Sequence, residues 1–257
     1  MVFARKRFGQ NFLHDEGVIE RIVSAIGPSP QDALVEIGPG HGALTEPLLE
    51  RAGRLDAIEI DRDLAADLQQ RFGDRGLHLH VTDALRFDFA ALAETKGRRL
   101  RIIGNLPYNI STPLLFHLLK TPAAILDLHI MLQREVIERI CAEAGSSEYG
   151  RLTVMLAPWV EAENLFDVGP GAFRPAPEVW SAVARLTVRE KPAFAVDARY
   201  GQLVTAAFSQ RRKTLRNAVR QWLDVAAIES CGIDPAARPE TLQPSEFAAL
   251  AQLIPAR

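Results

Sequence analysis

The chain lacks any apolar run near the roughly 20 residues that cross a bilayer, so no membrane-spanning helix is expected. It is poor in cysteine. Cys141 and Cys231 lie far apart, with no CxxC and no His at partner spacing, which excludes a disulfide framework and a thiolate metal site. Free thiols in a reducing cytoplasm are expected instead. His14, His41, His78, His80, His117 and His129 show no metal-ligand spacing, and no metal is expected. An excess of one charge is also missing: 30 Lys and Arg stand against 32 Asp and Glu, so the total does not suggest nucleic acid. The distribution does so weakly. Arg5, Lys6 and Arg7 cluster at one end, and Arg211, Arg212, Lys213, Arg216 and Arg220 near the other. Local patches rather than totals set the field a phosphate backbone feels, although each cluster taken alone also reads as solvated surface. No apolar segment follows Arg5–Arg7, so no secretory signal is expected. Internal repeats and low-complexity tracts are absent as well.

What is present is an ordinary globular composition over 257 residues, enough for one large α/β domain and a small appendage. Up to about residue 190, short apolar runs alternate with helical patterns, the signature of βαβ units and a mostly parallel sheet. Strands are expected at Leu34–Ile37, Leu55–Ile60, Leu77–Val81, Arg101–Ile103, Ala124–Leu132, Leu152–Ala157 and Val179–Val188. Helices are expected near Glu16–Ile26, Thr45–Glu50, Asp63–Phe72, Thr112–Leu119 and Gln133–Glu143. Beyond Lys191-Pro192 the pattern is helical only, near Tyr200–Phe208, Lys213–Leu223 and Pro244–Leu253. The expected division is therefore 1–190 and 191–257.

Four constellations carry chemistry. Glu36-Ile37-Gly38-Pro39-Gly40-His41-Gly42 follows the first strand, where glycines permit a tight turn and close approach of a ligand. The spacing is GxGxG and no Lys-Ser/Thr follows, so a nucleoside cofactor without phosphates fits better than a dinucleotide or a nucleoside triphosphate. Glu59 ends the second strand, about twenty residues on, where a carboxylate accepts hydrogen bonds from ribose hydroxyls. Asp61 competes for this role; Glu59 is preferred because it is nearer the glycine turn. Thr82-Asp83-Ala84 closes the third strand, and Asp83 suits an exocyclic amine, although Asp also commonly caps a helix. Together these strand ends indicate S-adenosylmethionine. Asn105-Leu106-Pro107-Tyr108 closes the fourth strand. The Asn105 amide oxygen and the carbonyl of Leu106 or Pro107 could accept both N–H bonds of an adenine amino group, freeing its lone pair. Pro107 stiffens the backbone, and Tyr108 offers a stacking face.

These residues resemble the KsgA/RsmA family of ribosomal RNA adenine dimethyltransferases nearly end to end. The resemblance rests on Arg7–Leu13, Glu36–Gly40, Glu59–Asp61, Asn105–Pro113, Met131–Val136 and Phe208–Asn217. It implies an α/β fold, a Rossmann-like class I methyltransferase sheet, with a small C-terminal all-α domain that binds ribosomal RNA through Arg211, Arg212, Lys213 and Arg216. It implies dimethylation of N6 on two adjacent adenosines near the 3′ end of 16S rRNA, in the small (30S) subunit or its precursor, in the cytoplasm. The implied cofactor pocket adds Asn11 and Leu13 to Gly38, Gly40, Glu59, Asp83, Ala84 and Asn105. From the residues alone, Phe8–Leu13 reads equally well as a solvated lead. Phe173, in Phe173-Arg174-Pro175-Ala176-Pro177-Glu178-Val179-Trp180-Ser181, is implied as a second stacking face opposite Tyr108. Glu178 stands where the family usually has Lys, which puts a phosphate contact there in doubt. Trp180 is expected to pack. The alternative is a related large-subunit rRNA dimethyltransferase that confers macrolide resistance; its motif usually has Ile where Leu106 stands. A monomer is the default expectation.

Overall fold

A computed structural model describes residues 11–107, 110–209 and 213–255, and in it the chain forms two compact units. The first comprises Met1–Ile137 and Ala162–Glu190; the second comprises Glu138–Glu161 and Lys191–Arg257. The second unit thus takes in a segment before residue 190 as well as the expected 191–257.

In chain order the elements are β1 (Phe12–Leu13), α1 (Glu16–Ile26), β2 (Ala33–Ile37), α2 (Thr45–Ala52), β3 (Leu55–Glu59), α3 (Arg62–Phe72) and β4 (Leu77–Val81). Next come α4 (Phe89–Lys96), β5 (Leu100–Asn105), α5 (Ser111–Leu118), β6 (Ile125–Gln133), α6 (Arg134–Ile140), α7 (Arg151–Leu156), β7 (Val160–Val168), β8 (Phe173–Arg174) and β9 (Ser181–Val188). The helical tail holds α8 (Ala198–Ala207), α9 (Leu215–Val219), α10 (Val225–Ser230) and α11 (Pro244–Gln252).

Seven strands form one sheet in the order β4-β3-β2-β5-β6-β9-β7. The pairs β3–β4, β2–β3, β2–β5 and β5–β6 are parallel, and β9 runs antiparallel to β6. The order reverses between β2 and β5, and open α/β sheets bind ligands in the crevice beyond the strand ends at such a point. All five positions of β2 and of β3 are buried, as strands covered on both faces require. Three carboxylates are buried in these strands, Glu36, Asp56 and Glu59; Asp56 pairs with Lys96, and Glu36 and Glu59 stand at the C-terminal ends. The helices end cleanly. Asp15 accepts the Val18 N–H to open α1 and Gly27 closes it in a left-handed conformation. Pro47 falls in the first turn of α2, where its missing N–H does no harm.

One expected strand is corrected. Leu152–Ala157 lies in helix α7, not in the sheet. Leu152, Val154 and Leu156 alternate in sequence, but Thr153 is buried beside Val154 and Leu156, which together make a helix face. Gly150 starts this helix, its N–H donating to Thr153 Oγ1. The seventh strand is instead β7, last in the sheet order. Its glutamates and Asp167 left no apolar run to read, because an edge strand needs burial mainly at its ends, Val160 and Val168.

The second unit has its own core, including Val154, Tyr200, Leu203, Leu215, Val219, Ile228 and Phe247. Tyr149 donates to the carbonyl of Leu242 at 2.7 Å and Tyr200 to that of Val154 at 2.6 Å. These buried bonds explain why the α7 segment belongs to this unit. No helix among the described residues is long and apolar enough to cross a membrane.

Candidate functional site

A cavity of about 220 Å³ opens beyond the C-terminal ends of β2 to β5. It is lined by residues from each expected strand end: Gly38 and Gly40 after β2, Glu59 closing β3, Asp83 and Ala84 after β4, and Asn105, Leu106 and Pro107 at β5. Asn11 and Leu13 also line it.

The glycine turn is anchored from below. Gly38 donates to the carbonyl of Ile58 at 2.9 Å, which ties the turn to β3. Gly38 and Gly40 have φ of 68° and 58°, a region L side chains rarely adopt. A Cβ on Gly38 would meet nothing within 4 Å, so the space over this residue is open to a ligand; at Gly40 a Cβ would meet the Phe12 ring at 3.0 Å.

Glu59 and Asp61, indistinguishable by alternation, separate in space. Glu59 lines the cavity, whereas Asp61 does not and instead caps α3 by accepting the Asp63 N–H. The Glu59 carboxylate accepts from Asp61 N at 2.8 Å and from Gly40 N at 3.3 Å, so it is held rigidly beside the glycine turn. Burial raises its pKa, and these backbone donors oppose that rise. Asp83 Oδ1 accepts the Leu85 N–H at 2.9 Å, capping a short turn, and the residue lines the cavity.

At the other wall, Asn105 Nδ2 donates to the backbone carbonyl of Asn11 at 3.1 Å. A carbonyl can only accept, so this contact decides which end of the amide is which. It turns Oδ1 away from Asn11. The partner segment is in place because β1 pairs with β8, Leu13 opposite Phe173. Pro107 O accepts from Ile110 N at 3.1 Å, and the Leu106 N–H donates to Met131 O at 3.1 Å.

One expectation is corrected. Phe173 does not face the cavity. Its ring is 2 % exposed and packs in the core with Leu13, Val168 and Ala172, so neither face is open to a base. The β1–β8 pairing holds it there. Trp180 is 50 % exposed and packs with the rest of its ring beside Gly169, where a Cβ would meet it at 3.6 Å, with the Arg134 guanidinium 6.0 Å from its ring centre. Tyr108, Arg211 and Arg212 lie outside the described residues. Lys213 and Arg216 belong to the second unit.

Several lining residues escaped the sequence reading. Phe12 packs at a tilt of 50° against His41, ring centres 4.2 Å apart, beside Gly40. Ile60 is 49 % exposed beside Glu59, which the sequence, where it reads as the last residue of a strand, did not signal. Glu36 is the third. Thr45 donates to its Oε2 at 2.6 Å, and burial pushes its pKa from an ordinary 4.5 up to about 7, with the Thr45 bond opposing and the Glu59 charge adding. Between these values the unfolded chain has released this proton and the folded chain has not. The contribution of Glu36 to stability is therefore full below about pH 4.5 and lost as pH rises to about 7, a difference of roughly 3 kcal/mol. In urea titrations, Glu36→Gln is expected to flatten the loss of stability across that window. A variant profile parallel to that of the parent would show that the folded carboxyl is already ionised.

The profile of the family described as ribosomal RNA adenine dimethylase matches residues 1–255. Among curated proteins, the Ribosomal RNA small subunit methyltransferase A of Methylococcus capsulatus is 54 % identical over 252 residues, 97 % of each chain. The protein of that name from a Burkholderia species is 57 % identical over 256 residues, covering 98 % of this chain and 92 % of its own. Among solved structures, a dimethyladenosine transferase from Plasmodium falciparum superposes with a TM-score of 0.80 at 24 % identity, covering 93 % of this chain and 95 % of that one. The 23S rRNA methyltransferase ErmE gives 0.74 at 27 % identity, covering 95 % and 99 %. The first of these two supports the fold alone.

Proposed function

From the premise that the chain belongs to the ribosomal RNA adenine dimethylase family, we infer that it dimethylates N6 of two adjacent adenosines near the 3′ end of small-subunit rRNA. The chain is a methyltransferase of the class I, Rossmann-like kind. The observation that carries the reading is the meeting of Gly38, Glu59, Asp83 and Asn105 around one cavity at the switch point of the sheet.

The residues present fit S-adenosylmethionine. The open space over Gly38 admits it without a Cβ in the way, Glu59 would accept from its ribose hydroxyls, and Asp83 from its adenine amine. Asn11 and Leu13 would close the cavity over it, with Ala84 and Ile60 against its base. When bound, it supplies a methyl group already activated on a sulfonium.

The remaining work falls to the chain. The adenine amine is a poor nucleophile because its lone pair is delocalised into the ring. Asn105 Oδ1, aimed by the Asn11 carbonyl, accepts one of its N–H bonds. We assign the second acceptor to the Leu106 carbonyl in preference to that of Pro107, one lone pair of which already serves Ile110. Two acceptors draw the nitrogen toward tetrahedral geometry and present its lone pair to the methyl, so positioning does most of the catalysis. No general base is needed, since the amine becomes acidic on methylation. With Phe173 in the core, stacking of the base is left to Tyr108. The reaction runs in the cytoplasm, on the small subunit or its precursor, with the basic Arg211–Arg216 segment of the helical unit on RNA.

The deciding experiment is transfer of labelled methyl from S-adenosylmethionine to purified small-subunit particles, against protein-free large-subunit RNA. Label is expected in the particles, at N6 of two adjacent adenosines. Label appearing only in the large-subunit RNA would favour the ErmE-like reading and overturn this one.

A further inference from the structure

The helical unit holds a second cavity, of about 690 Å³, walled by α8 on one side and by the chain from Lys213 to Trp222 on the other. Its chemistry differs from that of the cofactor cavity. Lys213 and Arg220 line it, no carboxylate does, and neither cation has an acidic partner among the described residues. Residues with amide side chains line both walls: Gln202 from α8, and Asn217 and Gln221 opposite, all three exposed. The Asn217 amide is already oriented, since its Nδ2 donates to Thr214 Oγ1 at 3.0 Å. That leaves Oδ1 as an acceptor. Trp222, half buried against the core of the unit, supplies an aromatic wall.

Each feature selects against other ligands. Unpaired cations without acids repel a cationic or acid-binding partner and favour phosphate. Three amides would stay unsatisfied against an apolar helix, but both accept and donate, as a base edge demands. The volume lies in the roughly 300–1,000 Å³ range of small-ligand sites, which admits a nucleotide and not a duplex. We propose that this cavity receives a single unpaired nucleotide of ribosomal RNA, its phosphate on Lys213 and Arg220, its base against Trp222 and its edge on Gln202, Asn217 and Gln221. Splayed-out bases stacked on aromatic rings are the usual means of reading RNA, because the grooves of its duplex expose little. The proposal rests on the inference that the substrate is rRNA. It gives the helical unit a second, base-specific anchor beyond charge.

The test separates base insertion from charge. Thr205→Trp fills the cavity from the exposed face of α8 and leaves every cation in place. It should weaken binding to purified small-subunit particles by about tenfold, with the salt dependence of binding unchanged. Replacing Lys213 and Arg220 by Gln should weaken binding and lower the slope of log K against log salt by about 1.5. Asn217→Ala with Gln221→Ala provides a second route to the first result should Thr205→Trp not fold, judged by its melting temperature. Chemical probing of the particle should show one base shielded by the parent protein and not by Thr205→Trp. Parent-like affinity in both the filled and the amide variants, or an unchanged slope in the cation variant, would overturn the proposal. Failure of the underlying reading would look different: the parent protein would not label small-subunit particles at all.

Discussion

Asn105→Ala is expected to slow methyl transfer to small-subunit particles by roughly 10²–10³, the cost of losing one preorganised polar contact to a reacting group. Binding to the particles should be retained, because the side chain is not among the charged groups that grip RNA. The expectation follows from the fixed orientation of the amide. With Nδ2 committed to the Asn11 carbonyl, Oδ1 is the end left for the substrate amine in the proposed reaction. Asn105→Asp tests the aim as distinct from the acceptor. It keeps an oxygen in the same place but sets a carboxylate against the Asn11 carbonyl, which repels it, so the variant should also be slow. Single-turnover transfer, with enzyme and cofactor in excess over the particles, is the measurement. Transfer at the parent rate in Asn105→Ala would show that the amine is activated by something else.

Glu59→Ala should raise the dissociation constant for S-adenosylmethionine by about 10²–10⁴. Two hydrogen bonds from ribose hydroxyls to a charged acceptor contribute roughly 1.5–3 kcal/mol each. The same change also strips Gly40 N and Asp61 N of their acceptor, which loosens the glycine turn itself. Asp61→Asn is the control. Asparagine still caps α3, and Asp61 does not reach the cavity, so affinity should hardly move. Titration calorimetry of both variants gives the comparison directly. A larger loss in Asp61→Asn than in Glu59→Ala would reverse the assignment of the ribose acceptor.

The contrast between these two acids shows where periodicity ran out and only nearness to the glycine turn favoured Glu59. Both sit at the end of one strand with the same parity, so no periodicity could choose between them. The choice depends on which carboxylate the chain needs for its own helix, and α3 begins directly after Asp61. Phe173 shows a sharper limit. Its neighbours suggest an aromatic in a proline-rich loop, free to stack. Its pairing with Leu13, 160 positions earlier, buries it instead, and nothing local signals a partner so distant. Leu152–Ala157 misled for a related reason. A short alternating apolar run satisfies a strand or one face of a helix, and the buried Thr153 that settles the matter is polar.

By itself the sequence determined the parallel sheet, the glycine turn, the order of chemistry along the strand ends and the adenine-directed tetrapeptide. These depend on local rules: strand periodicity, the backbone freedom of glycine and the reach of a βαβ unit. Only the tertiary structure decided how Asn105 points, that Asp61 serves as the cap of α3, that Glu36 is buried beside the cavity, and that Phe173 belongs to the core. The aiming of Asn105 rests on a backbone carbonyl 94 residues away. Every residue carries such a carbonyl, so no side-chain pattern could have marked this one.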